Sequence, residues 1–287
     1  MKEHRRRSRA KSILYGVLAF FLTLTLFLLS ICVVLKATVF SKEFMNSVMG
    51  SCGYYNMVED ELKTQMKSLG NASGIDEEFA ESFVESYDVH GAVDEYIAAF
   101  YVGNATLVDT TEFEQALYSA LDDYMAEKGI DREEVSDSSL SYFVEQASEI
   151  YVNEISIPFF SYVANYIYNY SPALLIIIIV LAVIALAIAA VIFFTNKFAH
   201  RRYRFLCYAG IGATLATAII PLTVQLSGMV TKVNLATRSL YNLFVNYANT
   251  LFSYFWIFCG VFFVVSVILF LLYAKAYKRA TTPHRGQ

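Results

Sequence analysis

The sequence predicts an all-α integral membrane protein with four transmembrane helices and a helical-bundle extracytoplasmic domain inserted between the first and second spans. Three observations lead to this fold class: four long apolar stretches, a sorted distribution of charge, and apolar residues that recur with the period of an α-helix between the first two stretches. Because the apolar core of a bilayer is about 30 Å thick, a run of roughly 20 residues crosses it as a helix.

Four segments reach this length, and none of them contains Asp, Glu, Lys, Arg or His. They divide the chain into a basic cytoplasmic tail (1–12), a first span (13–35), an acidic helical extracytoplasmic domain (36–172), a second span (173–195), a basic cytoplasmic turn (196–204), a third span (205–226), a short extracytoplasmic helical segment (227–250), a fourth span (251–273) and a basic cytoplasmic tail (274–287). Aromatic residues gather at the span borders, where membrane proteins carry an interfacial belt.

The basic residues predict the orientation of the spans. The two tails and the turn carry 14 Lys and Arg against a single acidic residue, Glu3. Since Lys and Arg are retained on the cytoplasmic side, we expect a multi-pass plasma-membrane protein with both termini in the cytoplasm. The residues expected to define this topology and to contact membrane lipid are Arg5, Arg6, Arg7, Arg9, Lys197, Arg201, Arg202, Arg204, Lys275, Lys278 and Arg279.

The domain between the first two spans is strongly acidic. Residues 37–171 include 25 Asp and Glu but 5 Lys and Arg, a formal balance of −20. This sign argues against nucleic acid as a partner, because nucleic-acid binding needs a basic surface. The acidic clusters at 59–61, 76–78 and 131–134 leave three interpretations open: divalent cations, a basic partner, or a solvated acidic face. None has the spacing of a calcium-binding loop.

Apolar periodicity predicts the helices of this domain. One stripe, from Phe44 to Leu69, predicts a helix that continues the first span without a break and places Cys52 in the core. Shorter helices follow at 79–87 and 93–101. The clearest helix covers 112–128, with a capping box at Thr111 and Glu114 and an end at Gly129. The last helix, which includes 140–151, is interrupted by Pro158.

The short segment between the third and fourth spans has one apolar helical face. That face comprises Val233, Ala236, Leu240, Leu243, Phe244 and Tyr247. A face of this kind leaves two arrangements open, one on the membrane surface and one against the acidic domain. The two cations of the segment, Lys232 and Arg238, favour the acidic domain.

Residue patterns typical of catalysis are absent from the sequence. It contains no HExxH, GxSxG, CxxC or glycine-rich phosphate loop, and its four histidines are scattered. The spans lack the ionisable residue that ion-coupled carriers place inside the membrane. We therefore expect neither enzymatic activity nor a cofactor or metal. A small-residue face on the third span, made of Ala209, Gly212, Ala213 and Ala216, is expected to pack against a neighbouring helix.

These observations favour a non-enzymatic sensor, regulator or partner subunit that uses its acidic extracytoplasmic domain for interaction. Another membrane protein or a second copy of the chain is the expected protein partner, because the cytoplasmic tails are too short to signal alone. The length and topology also resemble those of division-type ABC permeases, although their long cytoplasmic coupling region has no counterpart in 196–204. The alternative is therefore a permease-like or accessory subunit that works with a cytoplasmic ATPase.

Overall fold

The structure is a computed structural model that describes residues 2–104, 108–130, 135–158, 160–235 and 237–281, and only the backbone of residues 2–10 and Ala280. Every regular element within these ranges is helical, which confirms the all-α prediction. The ten α-helices of the described residues are α1 (Lys2–Ala37), α2 (Lys42–Cys52), α3 (Tyr54–Ser73), α4 (Glu77–Ser86), α5 (Val89–Tyr101), α6 (Thr111–Lys128), α7 (Asp137–Ile155), α8 (Phe160–Thr195), α9 (Ala199–Ser227) and α10 (Arg238–Thr281).

Four helical segments are long and apolar enough to cross a membrane, as the sequence predicts. They are Lys11–Ala37, Phe160–Thr195, Ala199–Lys232 and Arg238–Arg279. Pro172 and Pro221 lie inside α8 and α9. Proline is tolerated in membrane helices because neighbouring groups satisfy the carbonyls that it leaves without a donor. The spans therefore remain continuous helices across both prolines.

The chain divides into two compact units. The apolar unit comprises Met1–Val39, Ser171–Lys232 and Ala248–Gln287, and the acidic unit comprises Phe40–Tyr170 and Val233–Tyr247. In the apolar unit, α1 packs against α9, and Ala19, Leu22, Phe205 and Ala209 belong to one buried cluster. Small side chains in this cluster let two helix backbones approach closely.

An aromatic cluster lies in the core of the acidic unit, where α4, α6 and α7 meet. Phe113 of α6 is fully buried, and its ring centroid lies 4.3 Å from that of Tyr151, 5.3 Å from that of Tyr87 and 5.5 Å from that of Phe83. These separations are typical of stacked and edge-to-face aromatic pairs, which stabilise a core beyond their buried area. Phe113 is thus the central residue of the cluster.

The helix predicted to run from the first span to Leu69 is broken twice, between Ala37 and Lys42 and again at Gly53, so its predicted continuity is wrong. α1 and α2 are separate helices, and Gly53 adopts a left-handed conformation, with φ of 68°, between α2 and α3. Glycine adopts this conformation at little cost, and it changes the direction in which the following side chains point. As a result Tyr54 is fully buried, whereas Cys52 and Tyr55 are only half-buried. The prediction that Cys52 lies in the core is therefore wrong as well.

Local interactions are found at the ends of the later helices. α6 begins at Thr111, one residue earlier than predicted, so the predicted capping box at Thr111 and Glu114 is wrong. Instead Oδ1 of Asp109 accepts from the N–H of Thr111 at 2.9 Å, and the Thr110 hydroxyl donates to Oε1 of Glu114 at 2.7 Å. Gly129, with φ of 68°, ends α6 as predicted. α7 ends at Ile155, three residues before Pro158. This end agrees with the prediction, because proline disrupts a helix.

The segment between the third and fourth spans packs within the acidic unit, which is the second of its two predicted arrangements. Residues Val233–Tyr247 belong to this unit, and Leu243 is buried there. The ring of Tyr247 lies 5.1 Å from that of Phe44 in an edge-to-face contact. Ala236, which the apolar face also includes, lies outside the described residues.

Candidate functional site

A cavity of about 390 Å³ opens in the acidic unit where α3, α7 and the start of α10 come together. Its size is in the range of small-molecule sites. Seven of its eight lining residues are polar or charged. The lining residues are Met57, Asp60, Glu61, Thr64, Gln65, Glu154, Thr237 and Arg238.

The helical period of α3 accounts for one wall of this cavity. Residues 57, 60, 61, 64 and 65 recur at intervals of three, four, seven and eight residues and therefore share one face of the helix. The buried face of α3 includes Val58, Leu62 and Met66, each displaced by one position from a residue of this wall. The polar wall thus borders the hydrophobic core.

Glu61 connects α3 to the first turn of α10. Its Oε1 accepts a hydrogen bond from the backbone N–H of Ser239 at 3.0 Å, and its Oε2 accepts one from the Ser239 hydroxyl at 2.5 Å. Thr237 accepts from the N–H of Leu240 at 3.3 Å. The first N–H groups of a helix have no partner within the helix, and negative charge is favourable there. Glu61 therefore caps α10 from a residue 178 positions away.

Glu154 lies opposite Glu61 on α7 and is half-buried. Burial raises the pKa of its carboxyl above the ordinary value, and the negative charge of Glu61 raises it further. Both effects disfavour the ionised form, because it loses water and faces a like charge. A cationic group in the cavity would relieve both.

The Tyr54 hydroxyl is a buried polar group without a partner. The side chain is fully buried, and no hydrogen-bond partner of its hydroxyl exists among the described residues. Burial raises the pKa of this hydroxyl, as do the charges of Glu61 and Glu154. Tyr54 precedes Val58 and Leu62 by four and eight residues and lies with them on the buried face of α3, and it is not among the residues that line the cavity.

Arg238 is the cationic residue of the cavity lining. It is the first residue of α10, its side chain is exposed, and it has no ion pair within 4.0 Å in the described part of the chain. The cavity therefore presents carboxylates and one guanidinium in the same space.

A second recess of about 510 Å³ lies between α4 and α6. Phe79, Phe83 and Tyr124 line it, together with carboxylates that include Asp76. Lys128 forms an ion pair of 2.6 Å with Asp76 and lies over the Tyr124 ring. Since Phe79 and Phe83 are themselves buried, this recess offers little free apolar surface.

The acidic clusters of the sequence separate in the structure. In the first, Glu59 pairs with Lys63 at 3.1 Å, whereas Glu61 faces the cavity. In the second, Asp76 pairs with Lys128 and Glu77 accepts from Asn71. The third, 131–134, lies outside the described residues. Across the described ranges no three His, Cys, Asp or Glu side chains converge in a way that could hold a metal ion.

Seven of the eleven predicted basic residues lie at one end of the apolar unit. The side chains of Arg5, Arg6, Arg7 and Arg9 lie outside the described residues. Ring contacts join Tyr15, at the beginning of the apolar stretch of α1, to Phe205 near the start of α9 at 5.7 Å. A second contact joins His200 at the start of α9 to Tyr277 near the end of α10 at 6.2 Å. Lys197, Arg201, Arg202, Arg204, Lys275, Lys278 and Arg279 belong to these same helix ends or to the turn before α9.

Aromatic contacts hold the arginines of the turn. Arg202 donates through Nε to the carbonyl oxygen of Asn196 at 2.6 Å, and its guanidinium lies 5.1 Å from the Phe193 ring centroid. The guanidinium of Arg201 lies 5.4 Å from the centroid of Phe198. That of Arg204 lies 4.9 Å from the centroid of its neighbour Phe205. Such cation–π contacts stabilise a positive charge beside apolar surface.

The predicted small-residue face of α9 includes buried Ala209 and Ala213 and half-buried Gly212 and Ala216. The Thr23 hydroxyl of α1 donates to the carbonyl oxygen of Ala209 at 3.1 Å. A Cβ atom on Gly212 would lie 2.8 Å from Oγ1 and 2.9 Å from Cγ2 of Thr23. The neighbour at this part of the face is therefore α1 of the same chain.

Sequence reasoning missed the cavity. The polar positions of α3 were visible as an acidic cluster, but the contribution of Glu154 and Arg238 depends on contacts between distant segments. The one available signal was the cation Arg238 in a segment expected to contact the acidic domain. No protein-family model matches this chain, and no curated protein or solved structure has significant similarity to it.

Proposed function

We propose that this chain is a non-enzymatic plasma-membrane protein. It acts as a sensor, regulator or partner subunit and uses its acidic extracytoplasmic domain for interaction. Four apolar helices and the strongly acidic segment between the first two support this role. The acidic unit corresponds to the proposed extracytoplasmic domain. Acidic surfaces of this kind attract cationic ligands over several ångströms and suppress association with anionic ones.

The clustering of the basic segments supports the proposed topology. Ring contacts join α1 at Tyr15, just after its basic segment, to the start of α9, and the start of α9 to the end of α10. Positively charged segments remain on the cytoplasmic side of a membrane. Both termini and the turn 196–204 would therefore be cytoplasmic, and the segments that form the acidic unit would be outside.

The observation that carries the sensing role is the capping of α10 by Glu61. The cavity includes the first residues of α10, and Glu61 binds Ser239 with both carboxylate oxygens. α10 is a single helix of 44 residues, roughly 66 Å long, that also provides the fourth span. A ligand that altered the Glu61 contact would act on the first turn of this helix. Switch proteins commonly convert such a local change of charge or packing into a shift between two conformations of a larger element. Here that element would be α10.

Cysteine-accessibility labelling tests the proposed topology. In a Cys52→Ser background, which retains Cys32, Cys207 and Cys259 in the apolar helices and is itself the unlabelled control, cysteines introduced one at a time at Ser73 and Ser138 should react with a membrane-impermeant maleimide on intact cells. Cysteines at Ser8 and Thr281 should react only after the membrane is permeabilised. Ser73, Ser138 and Thr281 are exposed, so access to the reagent is limited by the membrane alone. Reversed reactivity at either pair would contradict the topology.

Affinity purification in mild detergent tests the proposed role as a partner subunit. We expect the tagged full-length chain to elute with a stoichiometric second membrane protein or as a homo-oligomer, identified by mass spectrometry and light scattering. The Glu61→Gln variant is purified in the same way for comparison. Since Glu61 caps α10, the proposed role predicts that the amount of co-purifying partner differs between the variant and the unmodified chain. A stoichiometric cytoplasmic ATPase would favour the permease-like alternative, and a monomer without any partner would contradict the partner role.

A further inference from the structure

We infer that a phospholipid with a negatively charged headgroup binds along one face of α9, with its phosphate at Arg201 and Arg204 and an acyl chain on the apolar side chains that follow. Lipid contact at the basic residues is the expectation from sequence. Selectivity for an anionic headgroup at a single helix face goes beyond it. Only the apolar unit takes part, so this binding is independent of the proposed sensing role.

The face of α9 that carries this site is open along most of the helix. It includes Arg201, Arg204, Tyr208, Ile211, Leu215 and Ile219. Spacings of three or four residues place these side chains in one narrow sector of the helix. Arg204 is half-buried and the other five are exposed, with the four uncharged ones 46% to 63% accessible. Two cationic groups are thus followed by a continuous, largely apolar stripe.

Other helices contact α9 on both sides of this face. On one side, the Thr23 hydroxyl of α1 donates to the carbonyl oxygen of Ala209 at 3.1 Å. On the other side, the Cys207 thiol donates to the carbonyl oxygen of Ser266 in α10 at 3.6 Å. Since consecutive residues of a helix are about 100° apart, the stripe lies between these two contacts. It therefore contacts lipid when the helix crosses a membrane.

The cations of the apolar unit have almost no counter-charge within that unit. Its segments carry 16 Lys and Arg but one acidic residue, Glu3. Every ion pair found within the described residues belongs to the acidic unit instead. A single carboxylate cannot neutralise this charge. Most of the negative charge has to come from other molecules, and in a membrane the abundant source is the anionic headgroup.

Both arginines are held in a way that suits a phosphate beside apolar surface. The guanidinium of Arg201 lies 5.4 Å from the ring centroid of Phe198, and that of Arg204 lies 4.9 Å from the centroid of Phe205. A guanidinium over a ring keeps N–H groups at its edge, where their fork matches phosphate oxygens. Phe198 is 56% exposed, so the charges adjoin open apolar surface. A soluble anion would leave this surface uncovered, whereas a lipid covers it.

The length of the stripe agrees with the length of an acyl chain. From Arg204 to Leu215 the helix rises by about 16 Å, at roughly 1.5 Å per residue. One leaflet of the apolar bilayer core is about 15 Å thick. A chain that starts from a phosphate at Arg204 can therefore extend along Tyr208, Ile211 and Leu215 to the middle of the bilayer.

Native mass spectrometry of the purified, delipidated full-length protein in neutral detergent tests this binding. The probes are dioleoyl phosphatidylglycerol, which is anionic, and dioleoyl phosphatidylcholine, which has the same chains and a zwitterionic headgroup. Glycerol 3-phosphate supplies the phosphate without the chains. We expect phosphatidylglycerol to bind about tenfold or more tightly than phosphatidylcholine, because two guanidiniums contact its headgroup. Excess glycerol 3-phosphate should not displace it.

Two double variants that remove the same charge connect the binding to α9. Arg201→Gln with Arg204→Gln should weaken phosphatidylglycerol binding by about tenfold or more and leave phosphatidylcholine binding unchanged. Lys275→Gln with Arg279→Gln removes two exposed cations at the end of α10, away from the α9 face. It should weaken binding by less than about threefold, because separated charges act only through a screened field. Unchanged circular dichroism and gel-filtration profiles show that each variant is folded.

Four results would overturn the inference. Equal affinity for the two lipids would remove the selectivity, and equal losses in the two double variants would indicate attraction by diffuse charge. Displacement by glycerol 3-phosphate would assign the arginines to a soluble phosphate. A dimer that binds no phosphatidylglycerol would indicate a second copy of the chain on this face. Because these variants leave the acidic unit unchanged, failure here does not alter the result expected for the Glu61→Gln comparison.

Discussion

Replacement of Phe113 by alanine is expected to destabilise the acidic unit by about 3–5 kcal/mol, the usual cost of truncating a buried aromatic side chain. Phe113 is fully buried, and its ring contacts Phe83, Tyr87 and Tyr151. Deletion removes these contacts and leaves a cavity that the three surrounding helices can close only in part. Among the substitutions considered, this one has the largest expected effect on folding.

Hydrogen–deuterium exchange of the full-length chain in detergent measures this loss within the acidic unit. Peptides of α6 and α7 that exchange through opening of the unit should do so roughly two to three and a half orders of magnitude faster in Phe113→Ala. Tyr142→Ala, on the exposed face of α7, is the matched control and should change the opening free energy by less than about 0.5 kcal/mol. Equal exchange in the two variants would show that the aromatic cluster does not stabilise this unit.

Introduction of a methyl group at Gly212 is expected to destabilise the apolar unit by about 1–3 kcal/mol, the typical cost of overpacking. The new Cβ would approach both γ atoms of Thr23 closer than 3.0 Å. Threonine has two γ heavy atoms, and both of them face the new methyl group. Rotation of the Thr23 side chain therefore always leaves at least one of them in the clashing position. α1 and α9 must therefore move apart, and the hydrogen bond from Thr23 to Ala209 weakens.

Denaturation of the detergent-solubilised chain by increasing SDS provides the measurement. Gly260→Ala in α10 is the matched control, because a Cβ atom there would meet nothing within 4 Å. It should be neutral or slightly stabilising, since alanine favours the helix by roughly 1 kcal/mol over glycine. Adding Thr23→Ala to Gly212→Ala should restore part of the lost stability. A Gly212→Ala variant as stable as Gly260→Ala would contradict the close approach of α1 and α9.

The membrane spans were predictable because their signal is local. A span has to be predominantly apolar and free of charge over about 20 consecutive residues, since no water in the bilayer core solvates a charge. The helices of the acidic segment were predictable for a similar reason, because the period of their apolar residues is a property of neighbouring positions. Gly129 and Pro158 acted on their own helix ends as expected.

Local errors arose where two neighbouring residues competed for one role. Thr110 and Thr111 are neighbours at the start of α6, and only the conformation of the chain placed the Thr110 hydroxyl within reach of Glu114. At Gly53, the sequence allowed an uninterrupted apolar stripe, but the left-handed glycine brought Tyr54 into the core. Backbone direction at a single residue thus changed which side chains were buried.

The cavity lies beyond any local pattern. Its walls come from α3, α7 and α10, and the hydrogen bonds of Glu61 reach a serine 178 residues away. Composition and periodicity were enough to establish the helical spans, the acidic segment and the sorting of charge, because these depend on the solvation of individual residues. The juxtaposition of Glu61, Glu154 and Arg238 required the folded chain, because pairing between distant helices depends on the packing of the whole unit.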